Sequence, residues 1–158
     1  LLKSGSTTEK RAPQVGIDAA VTVIDISRAE DKKKITTAPI TLINPVIVDY
    51  HGEAVMEEGC LSLPGLRADV TRPSTVYLEY HDLDMNKQNI ELKGMISRVA
   101  QHEIDHLNGI LFIDHLNKIE KKNAKPSLDL IRKGEVETDY LLAGLPEKKK
   151  LKTAAQRS

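Results

Sequence analysis

Apolar positions along this chain follow two periods, and the change comes at Gly94. Before it, short Val- and Ile-rich or alternating runs read as strands. "VGIDAAVTVIDI" (15–26) predicts one or two strands, and "RAEDKKK" (28–34) a solvated hairpin tip. "APITLINPVIVDY" (38–50) predicts a further β segment, interrupted at Asn44-Pro45, where the proline implies an edge or a break. His51-Gly52-Glu53 predicts a turn, after which a short strand leads into "EEGCLSLPG". Residues 74–94 hold two alternating stretches, "TVYLEYHDL" and "NIELKG", joined as a hairpin by the polar "DMNKQ".

After Gly94 the spacing becomes helical. Met95, Ile96, Val99, Ala100, His102, Glu103, His106 and Leu107 recur three and four apart, and Gly109 stands where a helix would end. An amphipathic helix over 95–108 follows. "LFIDHLN" (111–117) is expected to continue as a strand or to turn back over the core. Residues 1–11 predict a loop or frayed end, "KKNAKPSLDLIRKG" is basic, and 147–158 predict a basic, disordered tail. The chain contains no internal repeats.

Composition narrows this picture. A length of 158 residues suits one domain able to bury a core without a staple. Apolar residues at 40% and charged residues at 29% suit a soluble globular protein. Lys plus Arg equals Asp plus Glu at 23 each, so charge predicts no direct nucleic-acid or membrane partner. No apolar run is long enough to span a bilayer. The lone cysteine, Cys60, allows no internal disulfide and suits a reducing compartment. The first residues lack a signal-peptide layout and an initiator Met, so the N-terminal part is expected to be incomplete and the cytoplasm is the default address.

The chemistry concentrates in "QHEIDHLNGILFID" (101–114). Positions 102 and 106 share one helical face, one turn apart, so two imidazoles can grip a divalent ion from adjacent corners. Glu103 lies about a hundred degrees around the helix, displaced from that ligand position but able to reach a water on the ion. The alternative is a polar helix whose histidines are partly exposed and hydrogen-bonded. The apolar flank Leu107, Ile110, Leu111, Phe112 and Ile113 argues instead for an interior setting. Asp105 and Asp114 are candidate acceptors for the imidazole N–H groups.

A third ligand is available in "EEGCLSLPG". Cys60 reads either as a small buried hydrophobe or as a thiolate offered to the helix by an extended segment pinned by Gly59 and Pro64. One cysteine with two histidines leaves a fourth position open, as catalysis requires. Zn, Ni, Co or Fe(II) all suit such a set.

"EGCLSLP" (58–64) and "QHEIDHLNGILFID", in that order and separation, resemble the second and third signature motifs of the peptide deformylases. "VGI" after "APQ" resembles the tail of the first motif, and the likeness runs from about Ala12 to the tail. "PGLRADVTRP" and "GEVETDYLL" add weaker support, for a bacterial branch whose C-terminal part is extended rather than helical.

The resemblance implies an α+β fold, with antiparallel β-sheets packed around a central metal-binding α-helix, in a catalytic domain spanning residues 1–146. It makes Cys60, His102 and His106 the metal ligands and Glu103 the catalytic carboxylate, with Fe(II) as the native ion. Gln14 and the backbone N–H of Leu61 would donate to the formyl oxygen. Glu58 and Arg72 match an ion pair bracing the cysteine loop, the alternative being two unrelated surface charges. Gly59 and Arg67 fall at the peptide-binding mouth. Met95 and Val99 are candidates for an apolar slot taking the methionine side chain, the alternative being core packing. His51, His81 and His115 receive no role, and surface or hairpin positions are expected for them.

The implied activity is hydrolysis of the N-formyl group from the initiator methionine of new polypeptides, with formylmethionyl peptides, and the ribosome near its exit tunnel, as partners. The rival readings are a general HExxH metalloprotease and a non-catalytic peptide- or ribosome-binding homologue. One departure bears on the last of these. Where the family's first motif carries glycine and small apolar residues, this chain has Thr7, Glu9, Lys10 and Arg11, which could obstruct the substrate's approach.

Overall fold

A computed structural model describes residues 8–11, 20–25 and 39–136. Seven strands run in chain order: β1 (Thr8–Arg11), β2 (Val21–Asp25), β3 (Ile40–His51), β4 (Ala54–Cys60), β5 (Leu63–Arg72), β6 (Thr75–His81) and β7 (Lys87–Lys93). Helix α1 (Met95–Leu107), a 3-10 turn (Phe112–His115) and helix α2 (Lys118–Lys133) follow. The strands form two antiparallel sheets, one ordered β1-β2-β3-β6-β7 and the other made of β4 and β5.

The alternating segments become the hairpin β6–β7, paired from Thr75 opposite Lys93 to His81 opposite Lys87. β3 does not break at the proline. It accommodates Asn44-Pro45 with a register shift between Ile43 and Val46, and Asn44 takes a positive φ of 49°, a conformation asparagine tolerates. Pairing with β2 stops at Ile43, so the proline meets no partner on that side and the ladder loses no bond there.

Two expectations fail, and one is decided between its alternatives. Residues 8–11 are not frayed but add a strand to the edge of β2, whose free backbone groups accept it. Residues 112–115 take the second of the two expected courses, turning back over the core as a 3-10 turn, because Phe112 and Leu116 are drawn into an apolar cluster with Leu63, Leu66 and Val70. The extended C-terminal part is absent over 118–133, which is helical. Its start is fixed by a capping box: the Asn117 side chain accepts from the amides of Ile119 and Glu120, and Glu120 accepts from the Asn117 amide. Ala124, Leu128 and Ile131 repeat at helical spacing against the same apolar cluster, which offsets the bond lost at Pro126. Of "GEVETDYLL", only residues 134–136 are described; the 28–34 tip, residues 12–19 and the tail 147–158 lie outside the described residues.

α1 is the pivot. Val99, Ala100 and Ile104 pack on the larger sheet with Ile24, Leu42, Val76, Leu78 and Leu92, all buried. Its other side chains reach the β4–β5 sheet, so the eight residues Ser97–Ile104 are all buried. The helix is amphipathic as expected, with its polar face turned into protein rather than to solvent. No helix among the described residues is long and apolar enough to cross a membrane.

Candidate metal centre

Two elements bring the ligand atoms together. β4 ends at Cys60, where the β4–β5 register shifts after Gly59, and α1 carries His102 and His106 one turn apart. The Cys60 Sγ lies 3.3 Å from His106 Nε2, which lies 3.1 Å from His102 Nε2. The two rings meet edge to face, with centroids 4.6 Å apart. All three ligand atoms fall within 4.8 Å of one another, the only such group found among the described residues. Tetrahedral ligation with ordinary metal–sulfur and metal–nitrogen lengths sets donor spacings of about 3.3–3.6 Å. The Cys60–His106 and His106–His102 spacings lie within a few tenths of an ångström of that and the third pair falls within 4.8 Å, so the donor set and its clustering suit one ion.

The electrostatics suit a cation. Burial alone would raise the Cys60 thiol, but hydrogen bonds from His102 and His106 outweigh it and bring the pKa down to about 5. Burial alone would lower His102, yet Cys60 and then Glu58 hold its proton and raise it to about 9. The sulfur is thus a thiolate at neutral pH, and the proton on the imidazole is the one a bound cation would displace.

Behind His102 stands a buried charge network. His102 Nδ1 is 3.1 Å from Glu58 Oε2, which fixes the ring and leaves Nε2 for the ligand position. Arg72 grips Glu58 with both ends of its fork, Nε to Oε1 at 2.7 Å and Nη2 to Oε2 at 3.0 Å. Arg72 Nη1 also donates to Asp105 Oδ2 at 2.6 Å, and His115 Nε2 lies 2.7 Å from the same oxygen. Arg98 donates to Glu58 Oε1 at 2.8 Å. The carboxylate partner of the ligand imidazole His102 is therefore Glu58, and neither Asp105 nor Asp114 takes that part. Asp105 is occupied by Arg72 and His115, and Asp114 caps its own turn through the Leu111 amide at 2.8 Å.

Burial pushes Glu58 up, but His102, Arg72 and Arg98 hold it down at about 2 against an ordinary 4.5. A carboxylate depressed in this way contributes stability that is complete above its unfolded pKa and lost as the pH falls through the folded one. Between pH 4.5 and about 2, unfolding free energy is expected to drop by about 3 kcal/mol on this account. Glu58→Gln should remove that component from the pH dependence, measured by denaturant titration at each pH. Parallel curves for the two proteins would show that Glu58 is not held this way.

The remaining sequence-derived candidates are placed as follows. Glu103 is fully buried on α1, next to His102. Leu61 directly follows Cys60 with an exposed side chain. Gly59 pairs opposite Arg67, and Arg67 makes a solvent-exposed ion pair with Glu57 at 3.2 Å. Val99 is fully buried in the core of the larger sheet, against which Met95 packs half-buried. Gln14 lies outside the described residues.

Arg98, Gln101 and His115 were missed as functional candidates. Gln101 donates to the Pro73 carbonyl at 2.9 Å and to Ser97, tying α1 to the end of β5. The signal for Arg98 was available: a charge at position i−4 from His102, on the face that carries the ligands. His115 stands in the 3-10 turn and reaches the network through Asp105, which sequence spacing alone does not reveal.

Both the sequence and the fold have known relatives. Residues 11–122 match the family model for polypeptide deformylase. A peptide deformylase of Chlorobium phaeovibrioides is 47% identical over 132 residues, covering 84% of this chain and 68% of that protein. Among solved structures, a peptide deformylase from Plasmodium falciparum superposes with a TM-score of 0.67 at 40% identity, covering 80% of this chain and 73% of the other. Peptide deformylase 1B of Arabidopsis thaliana, solved with an inhibitor, gives a TM-score of 0.71 at 31% identity, covering 80% and 68%.

Proposed function

The chain belongs to the polypeptide deformylase family, and from that premise we propose that it is a metal-dependent hydrolase removing the N-formyl group from the initiator methionine of nascent polypeptides. The observation that carries the reading is the convergence of Cys60, His102 and His106 on one point, with the buried Glu103 next to His102 on the same helix.

Cys60, His102 and His106 would hold one divalent ion, with Glu58 keeping the His102 ring in its ligand orientation. Ligand type accommodates Fe(II), Zn, Ni or Co, and we take Fe(II) as the native ion. When bound, such an ion supplies Lewis-acid chemistry, acidifying a water and polarising an amide carbonyl. Glu103 takes the proton from the attacking water and passes it to the departing amine, so that formate and a free N-terminal methionine result. The Gln14 amide and the Leu61 backbone N–H donate to the oxygen that gains charge at the formyl carbon, each worth a few kcal/mol. Gly59 and Arg67 border the peptide's path. Met95 and Val99 shape the wall of the methionine slot; the burial of Val99 confines it to shaping rather than direct contact.

A cytoplasmic address, where Cys60 stays reduced, and work beside the ribosomal exit tunnel complete the reading. The domain would run through residue 146 and leave 147–158 as a basic tail.

The test is formate release from formyl-Met-Ala-Ser, with and without a chelator. Release that stops on chelation and resumes on adding back Fe(II) or Ni(II) is the expected result. Ion bound without formate release would mark a non-catalytic homologue, and cleavage of unformylated peptides would mark a protease.

A further inference from the structure

Arg98 is 98% buried in a helix face that otherwise serves the candidate metal centre. It stands four residues before His102 and so lies one turn along the same face. Its guanidinium makes three bonds, none to its own helix. Nη2 donates to the carbonyl of Ala54, the first residue of β4, at 2.5 Å. Nη1 donates to the Glu58 carboxylate in β4 at 2.8 Å and to the Val70 carbonyl in β5 at 2.9 Å.

β4 ends at Cys60. Arg98 therefore fastens the strand that carries the thiolate, at two points, to the helix that carries both imidazoles. Charge counting supports a specific role. Glu58 and Asp105 bring two negative charges, and Arg72, shared between them, brings one positive charge. Arg98 supplies a second guanidinium, so its removal takes from a fully buried carboxylate one of the two arginines that face it, on the side away from His102's own contact.

We propose that Arg98 is a positioning residue of the metal centre, holding β4 at the distance from α1 at which Cys60, His102 and His106 share one ion. This rests on the reading of those three residues as ligands. The role differs from that of Arg72. Arg72 sets the orientation of the Glu58 carboxylate through its fork, whereas Arg98 alone joins that carboxylate to backbone at both edges of the two-stranded sheet. A lysine there keeps the charge and can satisfy one acceptor, but it has no planar fork with which to span Glu58, Val70 and Ala54 together.

The test uses cobalt(II) as the probe in the full chain. Arg98→Lys and Arg98→Met are compared with Val76→Ala, a core change in the larger sheet that controls for lost stability. The readouts are the thiolate-to-cobalt absorption band and the rate of cobalt loss to EDTA. Arg98→Lys is expected to shift the band and speed cobalt loss about tenfold, with Arg98→Met nearer a hundredfold, the range for losing an outer partner of a ligand. Val76→Ala should keep the unaltered spectrum and rate. If both Arg98 variants behave like Val76→Ala, the residue is merely structural and the inference fails. Should Arg98→Met not fold, Arg98→Lys decides alone. An unaltered chain without a thiolate-to-cobalt band would instead overturn the ligand assignment, and this inference with it.

Discussion

Glu103→Gln is expected to leave the ion bound and to cut formate release roughly a thousandfold, about 4 kcal/mol of transition-state stabilisation. The argument begins with position. Glu103 follows His102 directly on α1, so its side chain projects about a hundred degrees around the axis from the ligand face, and the ion has its three protein donors without it. Burial gives the carboxylate its force. It has no exposed surface, so bulk solvent does not compete with the site for its proton-accepting oxygens. Glutamine preserves shape and packing but neither accepts that proton nor returns it to the leaving amine. The loss should therefore fall on kcat, with KM for formyl-Met-Ala-Ser nearly unchanged. Stopped kinetics alongside elemental analysis separates the two effects. A variant within tenfold of the unaltered rate would remove Glu103 from proton transfer, and one that had lost its metal would recast it as a ligand.

The same geometry explains which parts of the molecule were legible in the sequence. Local periodicity carried α1 and the β6–β7 hairpin, because each is specified by residues close together in the chain: the three-and-four spacing up to Gly109, and alternation around a polar connection. Gly109, at φ +73°, ends the helix as its position suggested. Periodicity does not report pairing. β1 carries no apolar pattern and exists because β2 offers it an edge. α2 was obscured by its many lysines and by Pro126, although Ala124, Leu128 and Ile131 held the helical signal. In the site, the ligand types followed from chemistry and motif order. The supporting network did not, since Arg72, Arg98 and Asp105 reach Glu58 and His115 across gaps of 10 to 40 residues. The charges were visible in the sequence, but their partners are a property of the fold.

Cys60→Ala carries the other large effect: the protein should lose its ion. Dividing the 10–16 kcal/mol typical of a four-ligand zinc site evenly assigns about 2.5–4 kcal/mol to one donor, or roughly two to three orders of magnitude in affinity. The thiolate should exceed an even share, because it is the only anionic ligand and neighbouring histidines hold it deprotonated. What remains is His102 and His106, two neutral donors one turn apart, with no group among the described residues placed to complete the set. The fold should survive. The core on the larger sheet does not include Cys60, which packs only at the margin of the smaller cluster around Leu63, Leu66 and Phe112. Equilibrium dialysis against a graded chelator, with elemental analysis of the retained ion, measures the loss directly, and Cys60→Ser tests whether a weaker oxygen donor restores part of it. Retention of one ion per chain at unaltered affinity in Cys60→Ala would mean that the sulfur sits near the histidines for packing alone, and that the water used in hydrolysis is activated somewhere else.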